Sequence, residues 1–388
     1  VDLGEKPSVV SAIAKYHVTE RARQVVNDGM DVIGGKGICL GPSNFLGRAY
    51  QQIPVGITVE GANILTRSLI LFGQGAIRCH PYVLAEMHSA QKGDMKAFDK
   101  ALWGHVGFTV SNAARALIMG LTGSHFVKVP GDVAPETRRY YQQLTRFSAA
   151  FAFIADLSMG TMGGALKRKE KLSARLGDIL SLMYLASATL KRFESEGRHG
   201  ADAPLMHWAI WDCMFRIQQA FEGVIANFPN KLFAFVLRRV VVFPLGRPYV
   251  VPSDRLGHKV AALLLEPSPT RDRLTSDVHL PTDIEDPVGA LEAALAATLA
   301  AEPVEARLKD ARRQGRFDPK NLASGDVDEI WRVALHAGVI DEREFALVER
   351  RNALRNKVIR VDDFPYDLDL KAAVQAMPER SPAQQVSA

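Results

Sequence analysis

The sequence predicts an all-α protein, a helical bundle followed by a second helical domain. Three observations predict it. Val10, Ala14, Val18, Ala22, Val25 and Gly29 recur at steps of four, four, four, three and four, the repeat of an amphipathic helix. Residues 138–166 read as one long helix whose second part, Phe147 to Leu166, is largely apolar. Residues 326–337 and 341–356 pair across Gly338, and the second opens on Asp341 and Glu344 at capping-box spacing.

A chain of 388 residues can bury a large core and divides into two or three domains. Its 47% hydrophobic and 23% charged content is that of an ordinary soluble protein. Cys39, Cys79 and Cys213 form no CxxC pair, which fits a reducing compartment and argues against a disulfide framework or structural zinc. The expected location is the cytoplasm, with peripheral contact at the inner membrane as a further expectation. A net charge of +5 favours anionic lipid or phosphate-bearing partners and is not the footprint of a nucleic-acid binder. The chain starts at Val1 without signal-peptide features, so it is expected to be the C-terminal part of a longer protein.

Taken in order, Pro7 is placed as a first helical residue. The first helix should end at Ile33-Gly34-Gly35-Lys36-Gly37, where glycines permit a sharp turn. Gly35 to Gly41 spells GxGxxxG after a helix, so it is neither a dinucleotide fingerprint nor a phosphate loop. A turn at 41–44 and a short helical piece at 45–50 lead to an extended or loop approach, 53–59. Glu60 follows, the one carboxylate between Val32 and Ala85. Burial of such a carboxyl raises its pKa, as a proton-abstracting base near neutral pH requires. The competing reading is a helix-start acid favoured by the dipole. From Ala62 a helix runs to Gly73 or Gly75, so Glu60-Gly61 stands at a loop-to-helix junction whose N–H groups can hold an oxyanion.

Further on, His80, His88, His105 and His125 lack metal-ligand spacing and read as core or surface histidines, with no metal site expected. Asp156 at the centre of the apolar 147–166 stretch, with Gly160, Gly163 and Gly164, favours a buried bundle helix over a membrane span. Residues 167–171 read as a solvated turn, 172–193 as an amphipathic helix, and 207–215 as aromatic core. Lys231, Arg238, Arg239, Arg247, Pro244 and Pro248 interrupt the apolar residues of 228–251, which leaves two readings open: a membrane-interface segment, or a helix packed on the domain body. Prolines mark linkers at 267–270 and 281–287. An alanine-rich helix through Glu302 and another over 305–315 precede the final pair. The expected division is 1–80, 81–270, 271–375 and a disordered tail, 376–388.

Ala14-Lys15-Tyr16-His17, Asp31 to Gly37 and Val59-Glu60-Gly61-Ala62 resemble the C-terminal helical domain of acyl-CoA dehydrogenases. Phe72-Gly73-Gln74-Gly75-Ala76-Ile77-Arg78-Cys79-His80-Pro81-Tyr82-Val83 resembles the bacterial long-chain type with its large C-terminal extension. The likeness covers nearly the whole chain, with 1–80 as the remnant of the dehydrogenase bundle. It implies FAD-dependent α,β-dehydrogenation of medium- or long-chain fatty acyl-CoA to trans-2-enoyl-CoA in fatty acid β-oxidation. Under it Glu60 is the base for the α-proton, its main-chain N–H holds the thioester oxygen, and Gly61 leaves room for the acyl chain. Asp31, Val32, Ile33, Gly34 and Gly35 match a segment that binds the flavin of a neighbouring subunit, and Ala62, Asn63 and Ile64 match flavin-contacting residues. A homo-oligomer and an electron-transfer flavoprotein as acceptor are implied as well.

The chain departs from the pattern at Asp31, where glutamine is frequent, and at Ala62 and Ile64, where threonine and glutamine are common. The family's preceding domains are not in the sequence, so activity is expected only in the full-length context. The alternative is a non-enzymatic helical module for membrane or partner docking.

Overall fold

Helix follows helix along the chain, and no strand occurs among the described residues. The computed structural model describes residues 4, 7, 9–129, 131–316 and 327–364; the expected tail, 376–388, lies outside them. Helix α1 (Val10–Ile33) passes into a tight 3-10 turn, Gly34–Ile38, and α2 is Gly47–Thr58. Asn63–Leu65 (α3) and Gly75–Arg78 (α4) are the ends of one continuous helical segment whose centre, Thr66–Gln74, is π-wound. Then come α5 (Val83–Lys92), α6 (Met95–Leu121), α7 (Pro135–Met162), α8 (Glu170–Ser195) and α9 (Ala203–Ala226). Helix α10 (Lys231–Val236) continues π-wound through Val242, and α11 (Asp254–Leu265) and α12 (Pro269–Thr275) follow. The series closes with α13 (Pro287–Arg313), α14 (Val327–His336) and α15 (Glu342–Ile359). The all-α prediction holds.

Four local expectations do not. Helix α1 begins at Val10, three residues beyond Pro7. The 53–59 stretch is neither extended nor loop, because α2 runs through Pro54 to Thr58. Pro54 offers no N–H to the Tyr50 carbonyl, but Tyr50 is exposed, so water can take that bond. The helix after Ala62 continues past Gly75 to Arg78, since Gly75 is buried at ordinary contact distance from Val9 and Leu180. Packing there offsets the roughly 1 kcal/mol propensity cost of glycine. Finally, the alanine-rich helix and the 305–315 helix are a single element with Pro303 inside.

The chain packs as two units, Val1–Ala22 with Pro54–Asp277, and Arg23–Ile53 with Val278–Ala388. In the first, α6, α7, α8 and α9 bury Phe147, Ile154, Leu176, Ile179, Met214 and Phe221, each no more than 1% exposed. Full burial of one such side chain is worth about 1.5–3 kcal/mol. Helix α7 with the turn after it is long and apolar enough to cross a membrane, yet its apolar residues pack into this core. The 228–251 segment packs on the same body. Phe228, Leu237, Val242 and Tyr249 are buried, buried Arg146 donates to the Val242 carbonyl, and Gln218 bonds both backbone groups of Tyr249 at 2.9 and 3.2 Å.

In the second unit, Ala301, Val304 and Ala311 of α13 meet Trp331 and Ala334 of α14, and Val348 of α15. The Arg351 guanidinium lies 5.6 Å over the Trp331 ring and pairs with Glu305. The capping box is formed: Glu344 N–H donates to Asp341 Oδ1 at 2.8 Å, and Asp341 N–H to Glu344 Oε2 at 3.1 Å.

Candidate functional site

The junction at Glu60 is built by two residues that the backbone bends sharply. Glu60 has φ 55° and Gly61 φ 94°; the first is left-handed and costs a non-glycine residue about 1–2 kcal/mol. Helix α2 ends in the bond from Val59 N–H to the Val55 carbonyl at 3.0 Å. The next helix opens with Thr66 N–H on the Ala62 carbonyl at 2.9 Å. Between them, no backbone carbonyl among the described residues accepts the Glu60 N–H. Its carboxylate is exposed and has no hydrogen bond or ion pair among the described residues. The described residues leave the Glu60 carboxylate open to solvent, not buried as a base requires. Val55, Val59, Ile64 and Leu65 around it are each 44–76% exposed, a concentration of apolar surface of the kind that marks a covered face.

Asn63 holds the junction in place. It is 5% exposed. Its Oδ1 accepts from Lys15 Nζ at 2.6 Å, and its Nδ2 donates to Thr19 Oγ1 and Glu20 Oε1, both at 2.9 Å. Lys15 Nζ also donates to the Gly61 carbonyl at 3.0 Å. One ammonium thus ties α1 to the backbone beside Glu60. The resemblance lists Asn63 as a flavin contact, but its side chain is committed to α1.

Behind the junction, α8 supports the π-wound segment. Arg67 forks onto Asp178 through Nε at 2.7 Å and Nη2 at 2.5 Å, a charge-assisted pair that raises the Arg67 pKa above the ordinary value. Ser173 Oγ donates to the Ser68 carbonyl at 2.5 Å. Gly177 is obligatory, because a Cβ there would stand 2.8 Å from the Arg67 carbonyl oxygen.

Asp31 to Gly35 belong to the other unit. Asp31, Val32, Gly34 and Gly35 are exposed, and Ile33 is half-buried. Asn44 fixes the turn beyond them. Its Nδ2 lies 2.9–3.2 Å from the carbonyls of Lys36, Gly37 and Cys39, and its Oδ1 accepts from Leu46 and Gly47 N–H at 3.0 and 2.8 Å. Val32, Ile33 and Lys36 line a cavity of about 890 Å³ with Phe45, Val358 and Asp362.

These residues suit a flavin as backbone and apolar surface. A Cβ on Gly34 or Gly35 would meet nothing within 4 Å, so both peptides are open to close approach. Val32 and Ile64 are 86% and 76% exposed and free to be covered. Ala62 is half-buried and Asn63 unavailable through its side chain.

The structure brings together one set that sequence spacing does not suggest. His80 and His105 converge on buried Asp156 of α7, with Glu86 of α5 behind His105. Twenty-five or more residues separate the members facing Asp156, so no local motif could signal them. Buried Cys213 is no nucleophile, its thiol pushed up to about 11 chiefly by desolvation.

Among known proteins, the family model described as "Acyl-CoA dehydrogenase, C-terminal, bacterial type" matches residues 77–364, and "Acyl-CoA dehydrogenase, C-terminal domain" matches residues 1–72. A curated relative from Bacillus subtilis (strain 168), named "Probable acyl-CoA dehydrogenase", is 22% identical over 246 residues. That match spans 60% of this chain and 36% of the relative. No solved structure matches.

Proposed function

The chain belongs to the bacterial-type acyl-CoA dehydrogenase family through its C-terminal domain, and we propose that it is the C-terminal part of an FAD-dependent oxidoreductase acting on medium- or long-chain fatty acyl-CoA. In this reading Glu60 takes the α-proton of the thioester. The observation that carries it is the Lys15–Asn63 clamp, which holds on one residue an exposed carboxylate and an N–H, both without a partner among the described residues. The proton moves from Cα to the Glu60 carboxylate, and the enolate oxygen that develops accepts from the Glu60 N–H. Such a donor acts most in the transition state, where the oxygen bears most charge. Gly61 adds no side chain beside the substrate. FAD, when bound, supplies the acceptor for the β-hydrogen leaving as hydride.

The exposed Val55, Val59, Ile64 and Leu65 then become the surface on which the rest of the enzyme closes, desolvating Glu60. The largely exposed Asp31–Gly35 stretch, where α1 passes into its glycine turn, serves a neighbouring subunit's flavin, which makes the active enzyme a homo-oligomer; an electron-transfer flavoprotein is the proposed acceptor.

The test uses the full-length protein with Glu60→Gln. Loss of the base should lower dehydrogenation of palmitoyl-CoA by about 10²–10⁴-fold, while bound-flavin absorbance stays unchanged. A wild-type rate would remove Glu60 from the mechanism.

A further inference from the structure

We propose that His80, His105 and Asp156 form a binding site for one divalent transition-metal ion, zinc by its donor chemistry. His80 stands in the turn before α5, His105 on α6 and Asp156 on α7. Their donor atoms lie within 4.8 Å of one another. His80 Nε2 is 3.1 Å and His105 Nε2 3.5 Å from Asp156 Oδ1. A tetrahedral zinc with bonds of about 2.0–2.1 Å to nitrogen and oxygen places its ligand atoms roughly 3.3 Å apart. The two distances bracket that edge.

Burial and orphaned atoms give a second, independent argument. The side chains of Asp156 and His80 are 3% and 9% exposed. Asp156 Oδ1 and His80 Nε2 are buried and face each other at 3.1 Å, yet neither makes a hydrogen bond of acceptable geometry among the described residues, a state that costs free energy and that a shared cation would relieve. The other atoms are already oriented. Thr109 Oγ1 donates to Asp156 Oδ2 at 2.8 Å, leaving Oδ1 for a ligand. His105 Nδ1 faces Glu86 Oε1 at 2.8 Å. That carboxylate accepts a hydrogen bond from Nδ1–H, which keeps the proton on Nδ1 and the Nε2 lone pair facing inward, the carboxylate–histidine–metal arrangement.

Aromatic rings wall the site. Tyr82 stacks on His105 with centroids 6.2 Å apart, and Phe108 meets His80 edge-on at 5.4 Å. Gly104 lets Tyr82 in, since a Cβ there would lie 2.5 Å from its ring. Metal binding makes one demand on His80. Its Nδ1 accepts the N–H groups of Tyr82 and Val83, both at 3.2 Å, which puts the ring proton on Nε2. A cation at Nε2 displaces that proton to Nδ1, and the two long backbone bonds are what the turn gives up. The ion then fastens the chain leaving α4 to α6 and α7, with a fourth position for water or a small ligand.

The experiment titrates the full chain, freed of metal by chelation, with zinc chloride in a calorimeter and with cobalt chloride by visible absorption. One zinc per chain and the intense visible bands of four-coordinate cobalt are expected. His105→Gln and Asp156→Asn should abolish both signals, and Glu86→Gln should weaken zinc binding by about 10–100-fold. His258→Gln, away from the cluster, should bind as the parent does. Circular dichroism verifies that each variant is folded; the parent titration stands whether or not they are. Absent or substoichiometric zinc uptake by the parent chain, a six-coordinate cobalt spectrum, or undiminished binding in folded Asp156→Asn would overturn the assignment.

Discussion

Asn63, which the resemblance marks only as a flavin contact, is what holds the Glu60 junction to the first helix. Its amide joins Lys15, Thr19 and Glu20 while nearly fully buried. Asn63→Ala strands those partners, so unfolding free energy should fall by about 1–3 kcal/mol, measured as a shift in the urea midpoint. Glu60→Gln, which removes no hydrogen bond or ion pair among the described residues, should leave that midpoint in place. A second residue sets a pH dependence. His17 is lowered to about 4, first by desolvation and then by Arg21, so the folded state resists a proton that the unfolded chain takes at about 6.5. The unfolded state therefore binds more protons between about 6.5 and 4, and stability falls as pH drops through that window. Thermal midpoints should decline over it, and His17→Gln should flatten the decline. Sequence placed Glu60 because it is a lone acid before a glycine. The resemblance pointed to Asn63 as a flavin contact, but nothing local in the sequence could show its clamp, which rests on a lysine 48 positions away.

At the scale of elements, the sequence was readable wherever apolar periodicity ran unbroken and misleading at proline and glycine. Pro54 and Pro303 look like breaks, yet α2 and α13 pass through them, because one lost bond costs less than the packing and continuity of a long helix. Gly75 and Gly177 look alike in sequence and differ in duty. Gly75 has ordinary contact room, whereas Gly177 lets α8 touch the backbone at Arg67. Gly177→Ala should push the π-wound segment off α8 and cost about 1–3 kcal/mol. In the full-length protein it should also lower the proposed dehydrogenase activity, because that segment continues directly from Asn63 and the Glu60 junction. Gly75→Ala, meeting nothing closer than 3.5 Å, should be neutral or mildly stabilising. Chemical denaturation of the two variants side by side measures the contrast. Equal midpoints would mean that the close approach at Arg67 is not what Gly177 provides.

At the scale of the whole molecule, the two units interleave in sequence, so no single cut separates them. Proline-bearing stretches frame the passage from Asp277 to Val278, and composition alone can locate such a passage. What composition cannot show is that residues 23–53 pack with the chain beyond it. Those contacts join positions more than 300 apart: Lys36 Nζ donates to the Val358 carbonyl at 2.5 Å, and Ser43 N–H to Asp362 Oδ1 at 3.0 Å. Gly41 makes room for Asp362, whose carboxyl carbon would lie 2.3 Å from a Cβ at that position. A chain ended at Asp277 leaves this glycine turn without its partners, while the buried cluster of α6 to α9 keeps every member. Limited proteolysis should then cut the shortened chain between residues 34 and 46 at a protease dose that leaves the parent turn intact, with the α7–α9 fragment surviving in both. Gly41→Leu in the full chain should reproduce the cut without any truncation, because the leucine side chain occupies the place of Asp362. Equal protection of the turn in all three proteins would show that the 34–46 segment is held by its own Asn44 network and owes nothing to the distant end of the chain.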